Sequence, residues 1–379
     1  MFDFETLRLI WWFLLGFLLA GFAIFDGFDF GVGALLPWLA RTDSERRVVI
    51  NTIGPVWEGN QTWIILGAGA IFAAFPPLYG ASFSGFYLAL IGLLFSMILR
   101  PGGFKYRSKL ESPTWRTIWD HLLFVGGVVP PLLFGVAVGN VLQGVPFHFD
   151  EWQRLFYDGS FFGLLNPFAL LCGLVSVSMV VTHGAVYLVN KTDGAVQARA
   201  IGVAGVAPLV TITLFLLAGL WVAFGLQGYV VTAGGAWSGP SNPFTKTVEL
   251  HTGAWLANYR SYPWMALAPM LGFGGAVLTA RLIRSARPML AFVSSGASIF
   301  GIVSTAGVSM FPFLMPSSNH PNQSLTVFDA SSSHDTLMIM LISTIIFMPI
   351  IIIYTGWVFK VMRGTVSTKY IDDNSHSVY

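Results

Sequence analysis

The stretch RLIWWFLLGFLLAGFAIFDGFDFGVGALLPWLAR, residues 8–41, decides the architecture. Between its two end arginines only Asp26 and Asp29 are charged; the remaining side chains are aliphatic, aromatic or small. A helix rises 1.5 Å per residue, so roughly 20 such residues cross about 30 Å of hydrocarbon. This run is longer than a span needs and predicts a helix that tilts or projects into the polar region. The rest of the chain has the same character: of 379 residues, 55% are hydrophobic and only 10% charged, with a mean hydropathy of +0.69. Those values describe an all-α polytopic integral membrane protein rather than a soluble domain.

Apolar runs of spanning length predict about nine transmembrane helices, at 8–40, 52–75, 79–99, 118–142, 164–189, 202–227, 262–281, 288–313 and 336–359. The connections 41–47, 100–116, 191–199, 281–287 and 360–369 carry 3, 5, 2, 3 and 3 of the 20 Lys and Arg, and the alternate ones carry the other four. Because basic residues mark the cytoplasmic side, this split predicts an outside N-terminus and a cytoplasmic C-terminus. The net charge of +2 then reports topology, and nothing in the chain points to nucleic acid. One membrane domain covers 1–379: a first helix bundle at 8–142, a second at 164–313, a last transmembrane helix at 336–359 and a cytoplasmic tail at 360–379. The opening MFDFETLR is acidic where a signal peptide is basic, so the first span is expected to be retained. Cys172 is the single cysteine, which excludes intrachain disulfides and thiolate clusters; a small buried apolar role is its expected one.

Three carboxylates break the apolar pattern. Asp26 and Asp29 lie three residues apart, on one helical face, and Glu58 is the only charged residue between Arg47 and Arg100. Asp29 should stand roughly 16 Å above the cytoplasmic end of its span and Glu58 about 9 Å above the start of the next. All three then share the cytoplasmic half with Asn51, Asn60, Gln61 and Thr62, the composition of a polar pocket that holds water. A charge at membrane depth costs several kcal/mol unless paired or wetted, so these acids mark a functional site. No Lys or Arg is expected at their depth. Three uses remain open for them: a proton route, a cation site, or hydrogen bonding between helices. Gly27, Gly31, Gly33, Gly54 and Gly59 crowd around the acids, where small residues let helices approach closely. Arg100, at the expected end of the third span, suits an anionic group, a lipid head or a quinone. Its alternative role is that of a positive-inside residue.

Of the seven histidines only His121 and His183 fall in or beside spans. Neither has a second ligand at a recognisable spacing, so no metal site is expected and haem ligation by this chain is disfavoured against interfacial histidines with ordinary partners.

The segments IWWFLLGFLLAGFAIFDGFDFGVGALLP at 10–37 and NTIGPVWEGNQTWIILGAGAIFAAFP at 51–76 resemble subunit II of cytochrome bd-type quinol oxidases. The resemblance rests on the D-G-F-D-x-G-x-G and W-[DE]-G-N-Q elements. It extends through FSGFY at 83–87, GVAVGNVLQGVPF at 135–147, FPFLMPSS at 311–318 and SLTVFDASSS at 324–333, and covers nearly the whole chain. Position 58 holds Glu where that pattern more usually has Asp.

The resemblance implies a bacterial inner-membrane complex that oxidises quinol and reduces dioxygen to water, with two haems b and one haem d ligated by subunit I. This chain would ligate no cofactor itself, would form helix bundles like those of its partner, and would hold a quinone as a structural element, as some relatives do. A small single-span accessory subunit and membrane lipid are further implied partners. The acids Asp29, Glu58 and Asp26, supported by Asn60 and Gln61, would deliver protons from the cytoplasm to the oxygen-reducing haem. Two other readings of the chain are a secondary transporter, which a matching acid set in the second half would support, and a purely structural membrane subunit.

Overall fold

The computed structural model describes residues 2–235 and 238–373. The long first run folds as α1 (Phe4–Phe25) and α2 (Gly27–Leu39), joined at Asp26. Backbone hydrogen bonds from Asp26 N to Phe22 O and from Phe30 N to Asp26 O carry the helix across the joint. Asp3 caps α1 by accepting from the Thr6 amide. A capping box of Thr42 and Glu45 starts α3 (Asp43–Ile53), satisfying amides that a helix start leaves open.

The chain then forms α4 (Trp57–Ala74), α5 (Pro76–Gly85), α6 (Tyr87–Tyr106), α7 (Pro113–Gln143), α8 (Pro167–Lys191) and α9 (Gly194–Phe224). It continues through α10 (Ala257–Ser261), α11 (Leu267–Arg284), α12 (Pro288–Met310), α13 (His334–Val361) and α14 (Thr368–Asp373). Proline stands in the first turn of α5, α7, α8 and α12, where its missing amide costs no hydrogen bond.

Among the described residues, eight helical segments are long and apolar enough to cross a membrane. The expected span at 52–75 corresponds to α4, which falls short of them in apolarity because Glu58, Asn60 and Gln61 occupy its first two turns. The span expected at 79–99 is shifted: 76–85 forms the separate α5, and the long helix runs from Tyr87 to Tyr106. Pro101 lies inside that helix, so the Arg-Pro pair that reads as a helix end in the sequence is continuous helix.

Among the described residues three antiparallel hairpins decorate one end of the molecule. They are β1 (Phe147–Phe149) with β2 (Leu155–Tyr157), β3 (Gln227–Gly234) with β4 (Lys246–Thr252), and β5 (Phe313–Met315) with β6 (Leu325–Thr326). Tight polar contacts close this hairpin end. Buried Lys246 meets Asp329 at 2.7 Å, and Arg8, fully buried, donates to Ser331 Oγ, Gly239 O and Ser241 Oγ. At the opposite, basic end, Arg46, Arg107 and Arg116 engage Asp43 and Asp120, tying α3 to the start of α7.

In the interior α2 packs against α7 and α8, linking the two halves of the sequence, while α1 packs against α4, α12 and α13. The α2–α8 crossing depends on glycine. A Cβ on Gly31 would collide with the Val180 carbonyl, and one on Gly184 would lie 2.5 Å from the Gly31 carbonyl carbon. Small residues at such crossings allow backbone-to-backbone packing in a membrane. The last span is peripheral: only Leu337 and Leu341 of α13 are buried.

Candidate functional site

The interior polar centre is built on the joint between α1 and α2. Asp26 sits in the joint and Asp29 one turn later, so both carboxylates leave the helix on the same side. There they meet Arg100 of α6. Its Nη1 and Nη2 donate to Asp26 Oδ2 and Oδ1 at 3.0 and 2.5 Å, the paired geometry that makes guanidinium–carboxylate contacts strong. Nη2 also stands 3.7 Å from Asp29 Oδ2. The guanidinium carbon lies 4.4 Å from the centre of the Phe30 ring, a cation–π contact that fixes the plane of the fork. Arg100 is 3% exposed and Asp26 fully buried.

Arg100 corrects two expectations. A cation does share the depth of the acids, because α6 continues beyond residue 99 and carries Arg100 inside. The anionic group that Arg100 meets is also internal, because its Nη1 and Nη2 are taken up by Asp26 of its own chain.

Asn60 of α4 completes the centre from the other side, its Nδ2 donating to Asp29 Oδ2 at 2.8 Å. Glu58, expected in the same cluster, is exposed, whereas Asn60 is buried. Two residues of helix amount to about 200° of rotation, so an Asn60 that faces Asp29 turns Glu58 to the opposite side. Glu58 makes no side-chain hydrogen bond or ion pair among the described residues, and Gln61 is half-buried between the two faces.

The two carboxylates are thus inequivalent. Both oxygens of Asp26 are engaged by Arg100. Asp29 has one oxygen held by Asn60, while its Oδ1, like Arg100 Nε, has no protein partner. Asp29 and Arg100 line a small cavity between α2, α3, α6 and α7, otherwise walled by apolar groups such as Ile50, Phe104 and Leu123. It offers about 10 Å³ for the centre of a water, close to the lower limit for holding one. One cation faces two carboxylates here, so electroneutrality of the buried centre asks for one additional proton.

The two span histidines have different surroundings, and Nε2 of His183 is buried without a hydrogen-bond partner. His183 is fully buried, its Nδ1 2.7 Å from Ser295 Oγ and its ring stacked on Phe292 with Phe28 at the edge. His121 is exposed, with Nδ1 2.8 Å from the Thr117 carbonyl of its own helix. Among the described residues no three His, Cys, Asp or Glu side chains converge in a way that could hold a metal ion. Cys172 is packed at the α7–α8 crossing, where a Cβ on Gly139 would approach its sulfur to 3.2 Å.

A second, larger cavity of about 410 Å³ lies between α1, α4, α12 and α13. Its walls are aromatic and aliphatic, including Phe25, Trp63, Phe300 and Phe359, and Trp63 stacks on Phe25 at 5.0 Å between ring centres.

A multi-span helical membrane protein with a buried carboxylate–guanidinium centre is the class these features define. Over residues 7–362 the chain matches the family described as cytochrome bd terminal oxidase subunit II, and it belongs to that family. It is 50% identical over 379 residues to cytochrome bd-I ubiquinol oxidase subunit 2 of Escherichia coli K12, each chain being covered completely. It is 30% identical over 365 residues to cytochrome bd ubiquinol oxidase subunit 2 of Bacillus subtilis, covering 96% of this chain and 98% of that one. The bd oxidase structure from Geobacillus thermodenitrificans shares the fold, with a TM-score of 0.70 at 18% identity over 94% of this chain and 98% of that chain.

Proposed function

We propose that this chain joins a haem-bearing subunit I in a quinol-oxidising, dioxygen-reducing complex and carries protons from the basic, cytoplasmic end toward that partner's oxygen-reducing site. The two haems b and the haem d belong to subunit I in this reading, and the small single-span subunit completes the assembly. The observation that supports proton transfer is Asp29: a buried carboxylate with Oδ2 anchored by Asn60 and Oδ1 unpartnered beside a water-sized cavity. An anchored acid of this kind can take a proton on its free oxygen and release it to a water without turning its side chain.

The other groups divide the work. Asp26, saturated by Arg100, supplies a fixed charge rather than a mobile proton. Glu58, exposed in the first turn of α4, faces out of the chain and collects protons at the boundary with the partner. Asn60 orients Asp29, and Gln61 adds a hydrogen-bonding group between the two faces. Among the described residues the second half does not reproduce this acid pair, so the geometry favours a one-sided route over a transporter with paired half-sites.

The 410 Å³ cavity beside Trp63 suits the structural quinone, since ligand cavities of 300–1,000 Å³ are mostly apolar and aromatic. Solvent extraction of the purified complex tests this: about one quinone per complex, lost on Trp63→Ala, is expected.

Quinol-driven oxygen consumption per assembled haem d, measured in Asp29→Asn and Glu58→Gln, tests the proton reading. An amide keeps the shape of a protonated carboxyl but releases no proton, so Asp29→Asn should lower turnover at least about tenfold at unchanged haem content. Unaltered turnover in both single variants and in the double variant would leave the centre a purely structural element.

A further inference from the structure

The turn between α11 and α12 carries Arg281, Arg284 and Arg287, all exposed. Among the described residues none of the three side chains makes an ion pair or hydrogen bond. No Asp or Glu occurs anywhere from residue 250 to residue 328, so their own hairpin cannot neutralise them. Three other arginines of the basic end, Arg46, Arg107 and Arg116, are by contrast matched to Asp43 and Asp120.

The backbone keeps the three arginines close. Arg281 and Arg284 are one turn apart on α11. The chain then reverses through Ala286 at φ 52°, with Ala286 N bonded to Ile283 O and Arg287 N to Leu282 O, the double closure of a helix C-terminus. The surface next to the guanidinium groups is aliphatic: Leu278, Met289, Leu290 and Val293 are 48%, 66%, 52% and 62% exposed. Three uncompensated cations thus stand over a surface suited to acyl chains.

We infer that this turn binds the headgroup of an acidic phospholipid, the phosphates against Arg281, Arg284 and Arg287 and the acyl chains along Leu278, Met289 and Val293. The triple charge favours a headgroup with two phosphates over one with a single net charge, and basic clusters between spans at the cytoplasmic side are suited to such lipids. A basic turn that served only to orient the hairpin in the membrane would need positive charge but no particular lipid.

Native mass spectrometry of the delipidated oxidase complex, titrated with cardiolipin or phosphatidylethanolamine, separates these possibilities. Wild type should retain cardiolipin and release phosphatidylethanolamine. Each single Arg→Gln change should weaken the tightest cardiolipin event about fivefold, and R281Q/R284Q/R287Q should hold one cardiolipin fewer at unchanged haem content. The charge-preserving triple R281K/R284K/R287K should keep that lipid. Equal retention of cardiolipin by wild type and the triple Gln variant overturns the proposal, as does equal retention of phosphatidylethanolamine. If the triple variant does not assemble, unchanged affinity in all three single variants overturns it.

Discussion

Two buried ion pairs, one at the hairpin end and one in the interior, differ in what they leave over. At the hairpin end Lys246 donates to Asp329 and to Pro243 O, the Thr326 amide donates to the other Asp329 oxygen at 2.7 Å, and Arg8 lies nearby among serine hydroxyls and backbone carbonyls. Burial drives the Asp329 carboxyl upward while Lys246 opposes it, and burial drives the Lys246 ammonium downward while Asp329 opposes it. No polar side-chain atom of that pair lacks a partner. In the membrane centre Arg100 satisfies Asp26 fully and leaves Asp29 with a free oxygen beside a cavity. A buried pair whose valences are all filled can only hold the fold, since removing one member leaves an uncompensated charge. The centre with one acid in excess can also change its proton content without losing its scaffold.

Breaking the inner pair should have the largest effect. Arg100→Met leaves two carboxylates without their cation and is expected to cost at least about 3–5 kcal/mol, seen as loss of assembled, haem-loaded complex. Asp26→Asn in the same chain should restore part of the yield. Lys246→Met strands Asp329 and should cost about 3–5 kcal/mol, read as a lowered thermal midpoint of the complex, with recovery in Lys246→Met/Asp329→Leu. Turnover per remaining haem should be unchanged there, which sets the outer pair apart from the inner one.

Smaller effects sharpen the contrast. Gly31→Ala forces α2 away from α8 against the Val180 carbonyl and should lower stability by about 1–3 kcal/mol, with turnover falling too because α2 carries Asp29. Asp29→Asn should change the thermal midpoint by less than a degree or two while lowering turnover, the reverse of Lys246→Met. Glu58→Gln, on an exposed position, should lie within about 0.5 kcal/mol of wild type in stability, so any loss of turnover reports proton uptake rather than folding.

Much of this was legible in the sequence. Apolar run length located the long helices, and the unusual charges at 26, 29 and 58 located the polar level. The partner of Asp26 was not legible, because Arg100 is followed by proline and basic residues that read as a loop; packing of α6 against α7 carries the helix to Tyr106. The position of Glu58 was half legible. Depth along a helix follows from residue number alone, but facing requires an azimuth. The signal for it was present in the two-residue spacing of Glu58 and Asn60, which cannot both face Asp29. The unpartnered oxygen of Asp29 depends on side-chain geometry in three helices, and no local pattern encodes it.

The separation of Asp26 and Arg100 along the chain, 74 residues, also sets an order of events during synthesis. At about 5–20 residues per second the ribosome delivers the two aspartates on the order of 4–15 s before the arginine that neutralises one of them. Through that interval the nascent first span must either stay beside the water of the insertion machinery or enter lipid with its acids protonated. Translation speed between codons 29 and 100 should therefore affect how this membrane protein acquires its centre. Slowing it with rare codons should expose the newborn chain to membrane quality-control proteolysis without changing a single residue of the product.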